Sequence, residues 1–130
     1  NGDVITDIRY GELLDFHNRH RASATMAVRA HEWQHPFGVV QMKGVEITGF
    51  DEKPLARSHI NAGVYVVSKE MVSSVKKNIR IDMTDLIEMR LNNKEFVSMF
   101  PVHEYWLDIG KMVDFYQAQK DVMHGGSFAE

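Results

Sequence analysis

Taken as a pattern of apolar and polar positions, the chain changes period several times. Asn1 to Ile5 reads as the end of a strand, and Thr6-Asp7 as the start of a helix along which Tyr10, Leu13, Leu14, Phe16 and His17 recur. From Ala24 to Ala30 the period becomes two. Thr25, Ala27 and Arg29 alternate with Met26, Val28 and Ala30, which predicts a strand with two different faces. Two short strands, Phe37 to Met42 and Val45 to Phe50, flank Lys43-Gly44, a hairpin signal. Pro54 interrupts the pattern, and Ile60 to Val67 is the most apolar strand of the chain.

Helical spacing then returns. Ser68 is placed to cap a short helix to Val75, and Asp82 a longer one over Met83 to Leu91, with Leu86, Ile87 and Leu91 on one side. Glu95 to Val102 and Trp106 to Ile109 read as strands. Gly110 opens a last helix whose stripe is Met112, Val113, Phe115 and Tyr116, and His124 to Glu130 reads as a frayed tail. A strand and helix, a β-rich middle, then helices and strands again predict an α/β fold: a mixed sheet flanked by helices.

Composition narrows the function classes. At 130 residues, 44% hydrophobic and 25% charged, the chain has the size and balance of one globular domain. A net charge of -3 offers no bulk attraction to nucleic acid or to an anionic membrane. The absence of cysteine excludes a disulfide scaffold, a thiolate metal site and a cysteine nucleophile, and is compatible with a cytoplasmic protein. No apolar run approaches the ~20 residues needed to span a bilayer.

Four segments could carry chemistry, and each also has a structural reading. Asn1-Gly2-Asp3 is a turn signal, or a carboxylate at the mouth of an α/β crevice. Asp108, within Trp106-Leu107-Asp108-Ile109-Gly110, is a helix cap or a second carboxylate. Together Asp3 and Asp108 suit magnesium, which takes one or two carboxylates and completes its shell with phosphates and water. Phe50-Asp51-Glu52-Lys53-Pro54 is a protected strand edge, or Glu52 accepts from sugar hydroxyls while Lys53 neutralises a phosphate. Asn61-Ala62-Gly63 is a bulge, or a place where a ligand nears the backbone. The histidines carry no metal pattern: His17 and His20 share a helix without an acidic partner and read as a solvated helix end.

In order and spacing these segments resemble one family, the sugar-phosphate nucleotidyltransferases, with the mannose-1-phosphate guanylyltransferase-like members nearest. Asn1-Gly2-Asp3 resembles the family's Gly-Asp metal site, Pro36-Phe37-Gly38-Val39-Val40 its Tyr/Phe-Gly-Val-Val strand, and Glu52-Lys53-Pro54 its Glu-Lys-Pro signature. Asn61-Ala62-Gly63-Val64-Tyr65 matches its Asn-x-Gly-x-Tyr strand, and Trp106-Leu107-Asp108-Ile109-Gly110 the segment with the second metal aspartate. The family's Gly-x-Gly-x-Arg-Leu loop, which cradles the triphosphate, is absent from this chain.

The resemblance therefore covers the second half of a Rossmann-like catalytic domain, over residues 1 to 123. It implies transfer from a nucleoside triphosphate to a sugar 1-phosphate, with Asp3 and Asp108 on magnesium and Lys53 on the sugar phosphate. Gly38, Glu52, Asn61 and Gly63 would orient the sugar; Tyr105 or Trp106 is first a packing residue, the alternative being a wall of the site. Without the triphosphate loop the chain alone is expected to be inactive, and the edge left by the missing half to drive self-association. The alternative is a non-catalytic module that kept the sugar-phosphate pocket or serves in assembly.

Overall fold

The computed structural model describes residues 2–110 and 112–123. Asn1, read above as part of a strand end, and the segment from His124 to Glu130, read as a frayed tail, lie outside them.

Among the described residues the strands form three sheets, of which the central one is the mixed sheet expected. The central sheet is three-stranded, in the order β5 (Leu55–Val67), β2 (Ala24–Gln34), β6 (Val97–Pro101). It is mixed, as the alternation of element types predicts: β2 runs antiparallel to β5 and parallel to β6. The other two sheets are antiparallel pairs, β1 (Val4–Thr6) with β7 (Trp106–Asp108), and β3 (Val39–Lys43) with β4 (Glu46–Asp51).

The two faces read from the alternation of β2 are both used. Thr25 faces helix α1 (Tyr10–His20), and Ala27 packs with Ile8, Ala62 and Val102. Ala24 and Met26 turn the other way, onto Met71 of α2 (Lys69–Ser73) and Leu86 and Ile87 of α3 (Met83–Asn92). A helix on each face is the arrangement that lets this stretch of strand be apolar on both sides.

Several boundaries differ from the sequence reading. The first strand begins after Asp3, and α1 begins at Tyr10 rather than Thr6-Asp7. Thr6 instead donates its hydroxyl to the Tyr105 carbonyl and accepts from the Ile8 N–H, holding the entry segment to the chain before β7. β2 runs to Gln34 and β5 starts at Leu55, because Arg29 to Gln34 pairs residue by residue with Ile60 to Leu55. Polar residues in this ribbon are tolerated because it stands largely exposed. The β3–β4 turn is Gly44-Val45 rather than Lys43-Gly44, with Gly44 in the left-handed region at φ 60°.

Ser68 caps α2 as expected, accepting from the Met71 N–H, whereas Asp82 occupies the α3 cap position without making that bond. The largest correction is His17. It is not a solvated helix end but 8% exposed, with Nδ1 2.8 Å from the Thr25 hydroxyl, which lies 2.6 Å from that of Ser98. Its helical stripe position put it inward, and buried hydroxyls on β2 and β6 supply the partner an imidazole needs there. His20 is the exposed one, bonded back to the Phe16 carbonyl and stacked on its ring.

Candidate functional site

Asp3 and Asp108 are brought together. β1 pairs with β7 so that Val4 lies opposite Asp108, and the Ile109 N–H donates to the Asp3 carbonyl at 2.8 Å. Asp108 accepts from the Gly110 N–H through Oδ1, also at 2.8 Å, which closes a local turn two residues on and is not a bond into the first turn of α4 (Met112–Met123). The two side chains converge over Gly110: a Cβ there would lie 3.0 Å from Asp108 Oδ1 and 3.0 Å from Asp3 Oδ2. Only a residue without a side chain leaves that space open.

This cradle fits a hard divalent cation, since both donors are carboxylate oxygens and both side chains are exposed, leaving room for water and phosphate. No cluster of three or more metal-ligating side chains occurs among the described residues. The pair alone offers two carboxylates, the number magnesium commonly takes from protein.

Gly38, Glu52 and Lys53 form a second group at the far end of the β2–β5 ribbon. A Cβ on Gly38 would lie 3.4 Å from Glu52 Oε2, so the carboxylate rests against the glycine backbone. Lys53 is in the left-handed region at φ 44°, a costly conformation for a side-chain-bearing residue directly before proline. Neighbours hold it there. Gln34 Nε2 donates to the Lys53 carbonyl at 3.2 Å, and the His35 N–H donates to the Pro54 carbonyl at 3.0 Å. Among the described residues the Lys53 ammonium has no hydrogen-bond or ion-pair partner.

Asn61 and Gly63 form a third group. The bulge read as one alternative is present: β2 pairs Met26 with Tyr65 but Val28 with Asn61, and Gly63 takes φ 76°. Trp106 Nε1 donates to the Ala62 carbonyl at 2.7 Å, tying this bulge to the strand that ends in Asp108. Trp106 also packs on the core and carries the Arg29 guanidinium 5.8 Å above its ring, so packing is its evident role. Tyr105 anchors α4 (Met112–Met123) through a 2.7 Å hydrogen bond from its hydroxyl to Asp121. Burial first, then that bond and the charges of Asp121 and Asp7, push its phenol up to about 12.

The seven residues singled out thus fall into three places: the aspartate pair, the bulge that Trp106 links to it, and the turn between β4 and β5 with Gly38, from the β2–β3 connection, against it. No hydrogen bond among the described residues joins the turn group to the aspartates. About six residues of β5 separate Lys53-Pro54 from Asn61, roughly 20 Å of extended strand. Sequence reasoning gave no role to Gln34 and read Gly110 as the opening of the last helix, not as the floor of the aspartate pair. For Gly110 a signal existed, a glycine two residues after a carboxylate at a strand end; for Gln34 there was none.

Residues 1–125 match the family model described as nucleotidyl transferase. Among curated proteins, the chain is 31% identical to mannose-1-phosphate guanyltransferase of Yarrowia lipolytica, over 88% of this chain and 32% of that protein. It is 30% identical to glucose-1-phosphate adenylyltransferase of Desulforamulus reducens, over 95% and 34%. The chain spans about a third of the length of these relatives. Its fold matches the crystal structure of HddC from Yersinia pseudotuberculosis with a TM-score of 0.61 at 18% identity, covering 94% of this chain and 53% of that one. With an aspartate pair built around a glycine, a mixed sheet between helices, and a family match over nearly its whole length, this chain belongs to the nucleotidyl transferase family.

Proposed function

We propose that the protein to which this chain belongs transfers a nucleotidyl group from a nucleoside triphosphate to a sugar 1-phosphate. The observation that carries the reading is the convergence of Asp3 and Asp108 over Gly110. It is supported by relatives whose names pair a sugar 1-phosphate with guanylyl or adenylyl transfer.

The chemistry asks for little covalent work. A sugar 1-phosphate oxygen attacks the α-phosphorus in line, the bond from that phosphorus to the β-phosphate oxygen breaks, and pyrophosphate leaves. Catalysis is positioning and charge neutralisation. Asp3 and Asp108 would hold magnesium, and the bound ion would supply positive charge between the phosphates. Lys53, without a hydrogen-bond or ion-pair partner among the described residues, would neutralise the sugar phosphate, and Glu52 would accept from sugar hydroxyls beside Gly38, which requires the exposed β2–β5 ribbon to bring this turn over the aspartate pair. The Asn61–Gly63 bulge would present polar groups to the ring.

The same reading includes a cytoplasmic setting, where a nucleoside triphosphate is drawn on, and self-association of the chain through uncovered apolar surface. The chain alone, without a Gly-x-Gly-x-Arg-Leu loop, would bind acceptor but not turn over.

The test is an assay of the full-length protein. Panels of nucleoside triphosphates and hexose 1-phosphates are incubated with magnesium, and pyrophosphate and the nucleotide sugar are followed by phosphorus NMR. Formation of both in equal amounts, lost on removing magnesium or in Asp108→Asn, is expected. A folded protein that binds hexose 1-phosphate but forms neither product would instead favour a non-catalytic sugar-phosphate module.

A further inference from the structure

The sheet that carries the aspartate pair has two strands among the described residues, so β7 is paired along one edge only. Its register decides which groups face the other edge. The Asp7 N–H donates to the Tyr105 carbonyl and the Ile109 N–H to the Asp3 carbonyl, so Tyr105, Leu107 and Ile109 turn their backbone groups toward β1. The carbonyls of Glu104 and Trp106 therefore point to the open edge. Arg29 Nη1 donates to both, at 3.3 and 3.4 Å, and its guanidinium stands over the Trp106 ring. Distances of that length fit one donor group shared between two acceptors. Arg29 is the first β2 residue beyond the stretch paired with β6, which ends at Val28 opposite Pro101, and its side chain crosses from the central sheet to the small one. None of the ion pairs among the described residues includes it; its hydrogen bonds go to backbone carbonyls.

We infer that Arg29 is a positioning residue for the aspartate pair: it takes the place of a neighbouring strand on the open edge of β7 and so holds Asp108 opposite Asp3. This rests on the proposed magnesium site. A group that acts through a ligand's backbone sets the affinity of the site without touching the ion. The alternative is a brace that stabilises the fold and leaves the pair unaffected. The two diverge in Arg29→Met, which keeps an apolar stem and loses every donor. Loss of a brace lowers stability alone, whereas loss of the positioning contact lets the strand shift and weakens cation binding in a protein that is still folded.

The experiment uses the full-length protein as wild type, Arg29→Met, Arg29→Lys and Asp108→Asn. Binding of manganese(II), which stands in for magnesium, is read by EPR and by its displacement with magnesium, beside urea unfolding and the magnesium dependence of transfer. In Arg29→Met the cation affinity is expected to fall about tenfold, the usual effect of removing a group that orients a metal ligand. The magnesium concentration for half-maximal transfer should rise by a similar factor, with KM for the sugar 1-phosphate at saturating magnesium unchanged. Arg29→Lys keeps a charged donor but loses the planar fork that stacks on the indole, and should bind with intermediate affinity. Wild-type cation affinity in a folded Arg29→Met, with stability alone reduced, would overturn the assignment. Should Arg29→Met not fold, wild-type affinity in Arg29→Lys would overturn it equally. Absence of cation binding by wild type, or binding unaffected by Asp108→Asn, overturns instead the magnesium site, and this assignment with it.

Discussion

Replacing Gly110 with alanine would set a Cβ 3.0 Å from carboxylate oxygens of both Asp3 and Asp108, closer than packed atoms normally approach. One or both side chains would have to swing out. The expected result is a folded protein whose affinity for magnesium falls at least tenfold, measured by calorimetry against wild type. Unchanged affinity would mean that the pair does not bind the ion jointly. At this scale much was legible beforehand. Asp3 and Asp108 lie more than a hundred positions apart, yet each precedes or ends a short apolar strand, and the structure pairs those strands. What sequence could not reveal is the state of a side chain: that the Asn61 amide bonds to both Gly63 and Tyr65, or that Lys53 sits at φ 44° under the hold of Gln34. Both depend on contacts made only after β2 and β5 pair.

Between elements, one buried relay and one half-buried tie set the geometry. Thr25, fully buried, links His17 of α1 to Ser98 of β6. Thr25→Val keeps the shape but orphans both partners, and should destabilise by about 1–3 kcal/mol in urea unfolding; a smaller change would mean that water or a rearranged rotamer satisfies the imidazole. Tyr105 ties the entry to β7 to α4. With its phenol pushed up to about 12 in the folded protein against an ordinary value of 10.0, the folded state keeps the proton where the unfolded chain releases it. This contribution to stability is complete below pH 10 and is lost as the pH rises toward 12. Tyr105→Phe should flatten that alkaline loss, and the phenolate absorbance of the wild type should show one late tyrosine that the variant lacks. The lengths of β2 and β5 were the least legible elements. Their polar outer halves carry no alternation, and only cross-strand pairing makes strands of them.

For the whole molecule, the dominant physical fact is apolar surface without cover. In the β3–β4 hairpin, Val40 pairs with Phe50 and Met42 with Ile47, so all four share a face, and all four are exposed. Phe37, Val113 and Met123 are exposed as well. Patches of this kind on a free chain favour association, and size-exclusion chromatography with light scattering is expected to give a dimer or larger species. A monodisperse monomer would contradict that expectation. The fold class was readable because alternating element types leave few arrangements open. The division into three sheets was not, because it depends on pairings that no local pattern encodes.

The most direct test of the central claim, that these residues form a magnesium-assisted sugar-phosphate site, is calorimetric titration of the chain with a hexose 1-phosphate, with and without magnesium. Wild type, Asp108→Asn and Lys53→Ala would be compared. Binding that strengthens with magnesium in wild type, loses that dependence in Asp108→Asn and weakens in Lys53→Ala is the predicted result. Binding indifferent to magnesium and to both substitutions in a demonstrably folded chain would contradict it.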